Sequence, residues 1–370
     1  MKEFVYADAS ASWLKPQSMI EAERDFLRNN YANAGRGICA RAGMVDTLVL
    51  DARKSVAEFI GCDSENIVWT SGTTDAFNRI VNIIKNTLTN KNLVFAVSDL
   101  DHHSARLPFE MLAKDGMCKI VEMPLDSNLN IDISNIPNAD VYVITAMSNV
   151  LGIAQDLTAI TNAIRAQNQN AIIIIDAAQY VVHNKIDVKN FDCDFLCFSG
   201  HKIGSDTGIG VMYIKNPDVW MADKFGGGMV NRIIDSENIV FNKSPEKFEA
   251  GTLPLTQIIG LPYAIKYLSD WNGGHDLIEY MYDELSKIDN IKLLTSRDAC
   301  MISFVPKNMH VLDFGAMLGA RNICVRVGNM CASWIHKKLG VDGSVRISVG
   351  PWNTMDDAKY VIENIKDLVK

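Results

Sequence analysis

A chain of 370 residues can bury a large core, and with 48% of its residues apolar and 22% charged it has the profile of a globular protein. Its formal charge of −8 argues against nucleic acid or an anionic membrane as principal partner, because phosphate backbones need a basic surface. No apolar run approaches the ~20 residues that span a bilayer, and the opening MKEFVYADAS lacks the apolar core of a signal peptide, so a cytoplasmic protein is expected.

In chain order, MVDTLVLDARKSVAEFI predicts a helix with Leu48, Ala52, Val56, Phe59 and Ile60 on one face, stopped by Gly61. ENIVWTSG predicts a short strand, followed by a helix over TTDAFNRIVNIIKNTL. Further strands are expected at LVFAVS, DVYVITA, AIIIIDAA and DFLCFS, with the helix ITNAIRAQNQ crossing between two of them. The run Ile172 to Ile175 is apolar on both faces, as a central parallel strand covered by helices should be. This is an α/β pattern with a mainly parallel sheet. After residue 260 the pattern changes. A helix over IIGLPYAIKYLSDW leads into shorter strands (CMISFV, ICVRV, SVRISV) interleaved with helices and ending in DDAKYVIENIKDLVK, a second α+β unit.

The eight cysteines are scattered, and only Cys193 and Cys197 lie close together, inside the apolar DCDFLCF. Such thiols are expected to be free and buried, and no paired ligand pattern for a metal is present.

Ligands of open α/β sheets bind beyond the carboxyl ends of the strands. The polar residues at those ends are Ser71-Gly72-Thr73-Thr74, Asp101-His102-His103, Ser148-Asn149, Asp176 with Gln179, and Ser199-Gly200-His201-Lys202. Each alone is a cap, a loop histidine or a solvated lysine. Together they supply a lysine for an imine, a carboxylate for a pyridine nitrogen, a hydroxyl-rich helix start for a phosphate and an imidazole for stacking, which are the needs of pyridoxal phosphate (PLP).

Ten blocks in order, among them GRGICARAG, SGTTDAFN, DHHSARLPFE, DAAQYVVHNKIDV, DFLCFSGHKIGSDTGIGVMY, KFEAGT, VRVGNMCA and VRISVGPWNT, resemble the class V aminotransferase family of fold-type I PLP enzymes. Within it the chain is most similar to the Suf-type cysteine desulfurases and selenocysteine lyases. The resemblance implies a large PLP-binding α/β domain over 15–260 with a mainly parallel seven-stranded sheet. It implies a smaller α+β domain over 261–370, joined by residues 1–14.

By position it makes Lys202 the imine-forming lysine, with Asp176 on the pyridine nitrogen and Gln179 on the ring hydroxyl. Thr73, Thr74, Ser199 and His201 would bind phosphate, and His102 would stack on the ring with His103 beside it. Asn149 and Arg346 would hold the substrate carboxylate, and Thr252 would reach the phosphate of a neighbouring subunit in a homodimer. Cys331 falls where the family has its sulfur-accepting thiol, and Arg326 nearby is a cation that would favour the thiolate.

The chain departs from the Suf-type pattern at Asn329 and Met330, where histidines are usual, at Cys39, where a histidine is usual, and in its opening ADASASW. The expected activity is a cysteine desulfurase: L-cysteine to L-alanine with a persulfide on Cys331, supplying sulfur to an acceptor for iron–sulfur cluster or other cofactor synthesis. The departures keep open another class V reaction, a β-lyase, epimerase or aminotransferase acting on a different amino acid.

Overall fold

In the computed structural model, which describes residues 4–35, 37–88 and 92–370, a short strand β1 (Val5–Tyr6) precedes helices α1 (Gln17–Asp25) and α2 (Ala40–Ile60). Strands and helices then alternate: β2 (Ile67–Thr70), α3 (Thr73–Thr87), β3 (Leu93–Ser98), α4 (His103–Lys114), β4 (Cys118–Met123), β5 (Val141–Thr145), α5 (Leu157–Gln167), β6 (Ile172–Asp176), α6 (Tyr180–His183), β7 (Phe195–Ser199) and β8 (Gly210–Ile214). Seven of these strands form one sheet in the order β2-β8-β7-β6-β5-β3-β4. One strand, β8, is reversed and pairs antiparallel with both β2 and β7 while the other pairs are parallel, so the expected mainly parallel α/β sheet is present.

The two-residue period of a strand divides the core. Ile173 and Ile175 of β6 pack towards α2 and α5, while Ile172 and Ile174 pack towards α3 and α4. This double cover is why β6 is apolar throughout. On α2 the buried stripe is Val45, Val49, Ala52, Val56 and Ile60, with Leu48 and Phe59 half-buried at its edge. The predicted face was therefore rotated slightly, because two large residues drew it towards the flank. Gly61 ends α2 at φ 75°, as its sequence position suggested. Cys193 and Cys197 are free and buried.

Beyond β8 come the hairpin β9 (Val230–Ile233) and β10 (Ile239–Phe241), then α7 (Leu255–Ser269), which packs on α1 and α2. The remaining elements are α8 (His275–Leu285), β11 (Ile291–Leu293), β12 (Ile302–Pro306), α9 (Val311–Gly319), β13 (Ile323–Cys324), β14 (Arg326–Gly328), α10 (Ser333–Lys338), β15 (Ser344–Ile347) and α11 (Met355–Leu368). Their antiparallel sheet has the order β11-β12-β15-β14. The chain start joins this second core: β1 pairs with β13, and Val5 and Ala7 pack among its apolar side chains. No helix among the described residues is long and apolar enough to cross a membrane.

Helix α3 is held in place by Arg79. Its guanidinium pairs with Asp223 at 2.8 Å, both side chains being buried, and it also donates to the carbonyls of Trp69 and Phe248. Asp223→Ala would leave this buried cation without its counter-charge. A loss of about 3–5 kcal/mol is expected in urea unfolding; a shift below 1 kcal/mol would show that the pair does not secure α3.

Candidate active site

The sheet delivers its strand ends to one rim, where a cavity of about 240 Å³ is lined by Thr73, Thr74, His102, Asn149, Asp176, Gln179, Ser199, His201 and Lys202, among others. Nine predicted residues from five separate stretches of chain thus meet in one place.

Lys202 sits in the tight turn Gly200–Ile203 that follows β7, and its Nζ donates to the Ser10 carbonyl at 2.5 Å. Enclosure and the nearby Arg346 charge pull its pKa from an ordinary 10.5 to about 7, against opposing pulls from Asp176 and Asp8. Asp176, the last residue of β6, accepts from the Ala178 N–H at 3.0 Å. Burial pushes its pKa up to about 6, and among the described residues no lysine or arginine forms an ion pair with it. Gln179 donates its Nε2 to the same Ser10 carbonyl at 2.8 Å, and its buried Oε1 has no partner among the described residues.

At the opposite side Ser199 Oγ accepts the Thr73 N–H at 2.8 Å and lies 2.8 Å from Thr73 Oγ1, forming a hydroxyl cluster at the start of α3. The turn before it requires glycine twice over. Gly72 has φ 142°, and a Cβ on Gly210 would meet the Gly72 Cα at 2.6 Å. His102 caps α4 by accepting the Ser104 N–H on Nδ1 at 3.1 Å. Burial, with the neighbouring Lys202, His103 and Arg346 charges, lowers its pKa to about 4, so its ring is neutral. Burial, aided by Lys202, lowers His201 to about 4 as well.

Arg346 comes from β15, opposite Arg326 on β14. Its Nη1 donates to the Asn149 carbonyl at 2.8 Å and its Nη2 lies 3.2 Å from Asp8 Oδ1. Among the described residues its buried Nε has no partner, nor has Asn149 Oδ1. The second oxygen of Asp8 pairs with Arg326 at 2.6 Å. Two guanidinium charges against one carboxylate leave a single positive charge here. Arg326 is therefore engaged by Asp8, a use of its charge that the sequence did not suggest.

Cys331 is exposed, between Met330 and Ala332. Met330 and Cys331 both adopt the left-handed region, with φ 50° and 53°, a conformation that costs roughly 1–2 kcal/mol per residue with a side chain. The loop is tied to the cavity wall, since Asn149 Nδ2 donates to the Met330 carbonyl at 2.8 Å. Two residues of interest lie elsewhere. Thr252 is exposed in a separate cleft with Asn33, Gly228 and Glu249, and Cys39 is exposed at the start of α2.

Sequence reasoning did not find Asp8 and Ser10. Their only signal was a short polar run, ADASAS, directly after an apolar start. Ser10 also donates its N–H to Ser348 Oγ at 2.8 Å, while the Trp13 N–H reaches the His201 carbonyl at 2.9 Å. Residues 8–13 are thus a strap from the second sheet to the Lys202 turn.

The fit to PLP rests on unmet partners: a buried carboxylate without a cation, an amide oxygen without a donor, hydroxyls gathered at a helix start, and a lysine amine held near neutrality. An α/β fold that brings these to one rim defines a PLP-dependent enzyme. The chain belongs to the class-V aminotransferase family, whose model matches residues 5–361. A probable cysteine desulfurase of Vibrio cholerae is 32% identical, the match covering 99% of this chain and 93% of that protein. The apo structure of a cysteine desulfurase from Thermococcus onnurineus superposes with a TM-score of 0.93 at 29% identity, covering 99% of this chain and 95% of that one. The Escherichia coli cysteine desulfurase CsdA, solved in an S-sulfonic acid form, gives 0.89 at 29% identity, covering 98% and 94%.

Only the free amine attacks an aldehyde, so capture of PLP by apoenzyme should rise with pH and level off above about 7. Borohydride trapping with peptide mapping to Lys202 measures it. A rate that climbs on to pH 10, as for an ordinary lysine, would overturn the neutral-amine assignment.

Proposed function

We propose that this protein is a PLP-dependent L-cysteine desulfurase that forms L-alanine and a persulfide on Cys331. The observation that carries the reading is the unpartnered Arg346 Nε beside a net positive charge, one residue contact from both the Lys202 cavity and the Cys331 loop. A buried guanidinium donor without an acceptor costs free energy until an oxygen meets it, and an amino-acid carboxylate supplies that oxygen.

When bound at Lys202, PLP supplies the electron sink that makes the substrate α-proton acidic. Asp176 would keep the pyridine nitrogen protonated, and the Thr73–Ser199 hydroxyls with Thr74 and His201 would hold the phosphate. His102, neutral and packed at the cavity wall, would cover the ring, and Gln179 would face its hydroxyl. Arg346 and Asn149 orient the substrate carboxylate. The Lys202 amine, whose lowered pKa of about 7 leaves a large share of it unprotonated at neutrality, accepts the α-proton and returns a proton to carbon. The Cys331 thiolate attacks the substrate sulfur. A sulfur–sulfur bond forms, the substrate carbon–sulfur bond breaks with its electron pair going to carbon, and protonation there yields alanine. One cysteine and one enzyme thiol become one alanine and one enzyme persulfide, so no external oxidant is required.

The exposure of Cys331 suits transfer of the terminal sulfur to an acceptor protein, for iron–sulfur cluster or other sulfur-containing cofactor synthesis. The reading includes a homodimer, in which Thr252 of one subunit serves the phosphate site of the other, and a cytoplasmic setting.

Supplying L-cysteine should give alanine and a mass shift of one sulfur on the Cys331 peptide. Cys331→Ala should lower alanine formation by at least about a hundredfold, as loss of an attacking group does. Sulfide with pyruvate in place of alanine, or unchanged turnover in the variant, would move the assignment to a β-lyase or another class V reaction. Arg346→Ala should reduce kcat/KM by about a hundredfold or more, through loss of charge-assisted hydrogen bonds to the carboxylate.

A further inference from the structure

The geometry points to His103 as a positioning residue for Cys331, acting on the thiol-bearing loop and not on the cofactor. This rests on Cys331 being the sulfur acceptor. The adjacent histidines divide sharply: His102 lines the cavity, whereas His103 does not.

Two consecutive left-handed residues with side chains persist only when their surroundings over-determine them. Part of the hold is apolar. Met330 packs on the large core, and Ala332 and Ile335 are buried in it, so Cys331 is flanked by inward-facing anchors and is itself left exposed. Beside the Asn149 and Asn329 hydrogen bonds, the polar hold on the thiol-bearing peptide includes two contacts from His103. Its backbone N–H donates to the Cys331 carbonyl at 2.7 Å. Its ring Nε2 accepts the Ser333 N–H at 3.3 Å and lies 3.1 Å from Ser333 Oγ. One residue thus grips the chain at Cys331 and again two residues later.

The ring is itself braced. It meets the Trp334 ring edge-on at 5.2 Å, and the Arg106 guanidinium lies over the same indole at 4.3 Å. Arg106 is fixed by Glu110, by Glu122 and by the Ser98 carbonyl at the end of β3. A continuous set of contacts therefore runs from the end of β3 through Trp334 and His103 to the peptide that carries the thiol. Accepting the Ser333 N–H requires an unprotonated Nε2, so the imidazole serves as an acceptor and not as an acid in this position.

The experiment compares wild type, His103→Ala, His103→Gln and Cys331→Ala as holoenzymes. Glutamine keeps an acceptor near the Nε2 position, and alanine removes it. His103→Ala should lower kcat for alanine formation on the order of ten- to a hundredfold, because a small misplacement of a reacting group has effects of that size. KM for L-cysteine and the cofactor absorbance should stay unchanged, and hydrogen exchange at the Ser333 amide should accelerate. His103→Gln should restore most of kcat and the exchange protection. Unchanged kcat or unchanged Ser333 exchange in His103→Ala would overturn the proposal, as would a shifted cofactor band with raised KM, which would put His103 at the cofactor. An active Cys331→Ala would remove the underlying reading and the proposal with it. An inactive Cys331→Ala beside a fully active His103→Ala would overturn the positioning role of His103 alone.

Discussion

The enclosed amine of Lys202 is the constraint around which this structure is arranged. A lysine removed from water loses the solvation of its charge, so it either finds a counter-ion or becomes neutral. Here neither nearby carboxylate is in ion-pair contact with it: Asp176 is buried in its own turn, and Asp8 is bound to two arginines. The amine meets a neutral carbonyl, that of Ser10, and Arg346 adds a second push towards loss of the proton. The residue that holds the substrate carboxylate in the proposed reaction therefore also prepares the lysine that moves the proton. Removing either residue changes the other, and their effects on catalysis should not add.

The same region explains how two apolar cores share one site. Arg346 and Arg326 face each other on β15 and β14, a like-charge pairing that a sheet does not tolerate unaided. Asp8 relieves it from outside the sheet, just beyond β1. Having reached that position, the chain runs on through Ser10 to Lys202 and through Trp13 to the His201 carbonyl. Electrostatic need in the second sheet thus fixes the path of the strap over the first.

How much of this was legible in the sequence depended on whether the information was local. Strand ends and their polar residues stand next to one another in the chain, so Thr73, Asp176, Gln179, Ser199 and Lys202 could be gathered from periodicity and the strand-end rule alone. The α2 stripe was rotated slightly from its expected face because Leu48 and Phe59 are apolar yet lie at the margin, a matter of packing angle that no one-dimensional pattern contains. Asp8 and Ser10 were invisible for a different reason. Their partners lie far off in sequence, Lys202 about half the chain away from Ser10 and Arg346 almost its whole length from Asp8, and a short polar run is an ordinary feature of a loop. Arg326 looked like a thiol-activating cation from its spacing to Cys331, but spacing could not reveal that Asp8 already binds it.

The departures at Asn329 and Met330 become intelligible in these terms. Asn329 accepts the Cys331 N–H on its side chain and the Ala332 N–H on its backbone carbonyl, closing the turn from within. Met330 inserts an unbranched apolar side chain against the large core, where an imidazole would need a polar partner. Both residues stabilise the left-handed turn that presents the thiol, and neither brings a titratable group to it. Residues outside the loop add to this hold, Asn149 on the cavity side and His103 on the other. The enclosed amine and the exposed thiol are thereby held at opposite ends of a short set of contacts. In the proposed reaction the α-proton is moved at the enclosed end, and the thiol carries the sulfur from there towards solvent.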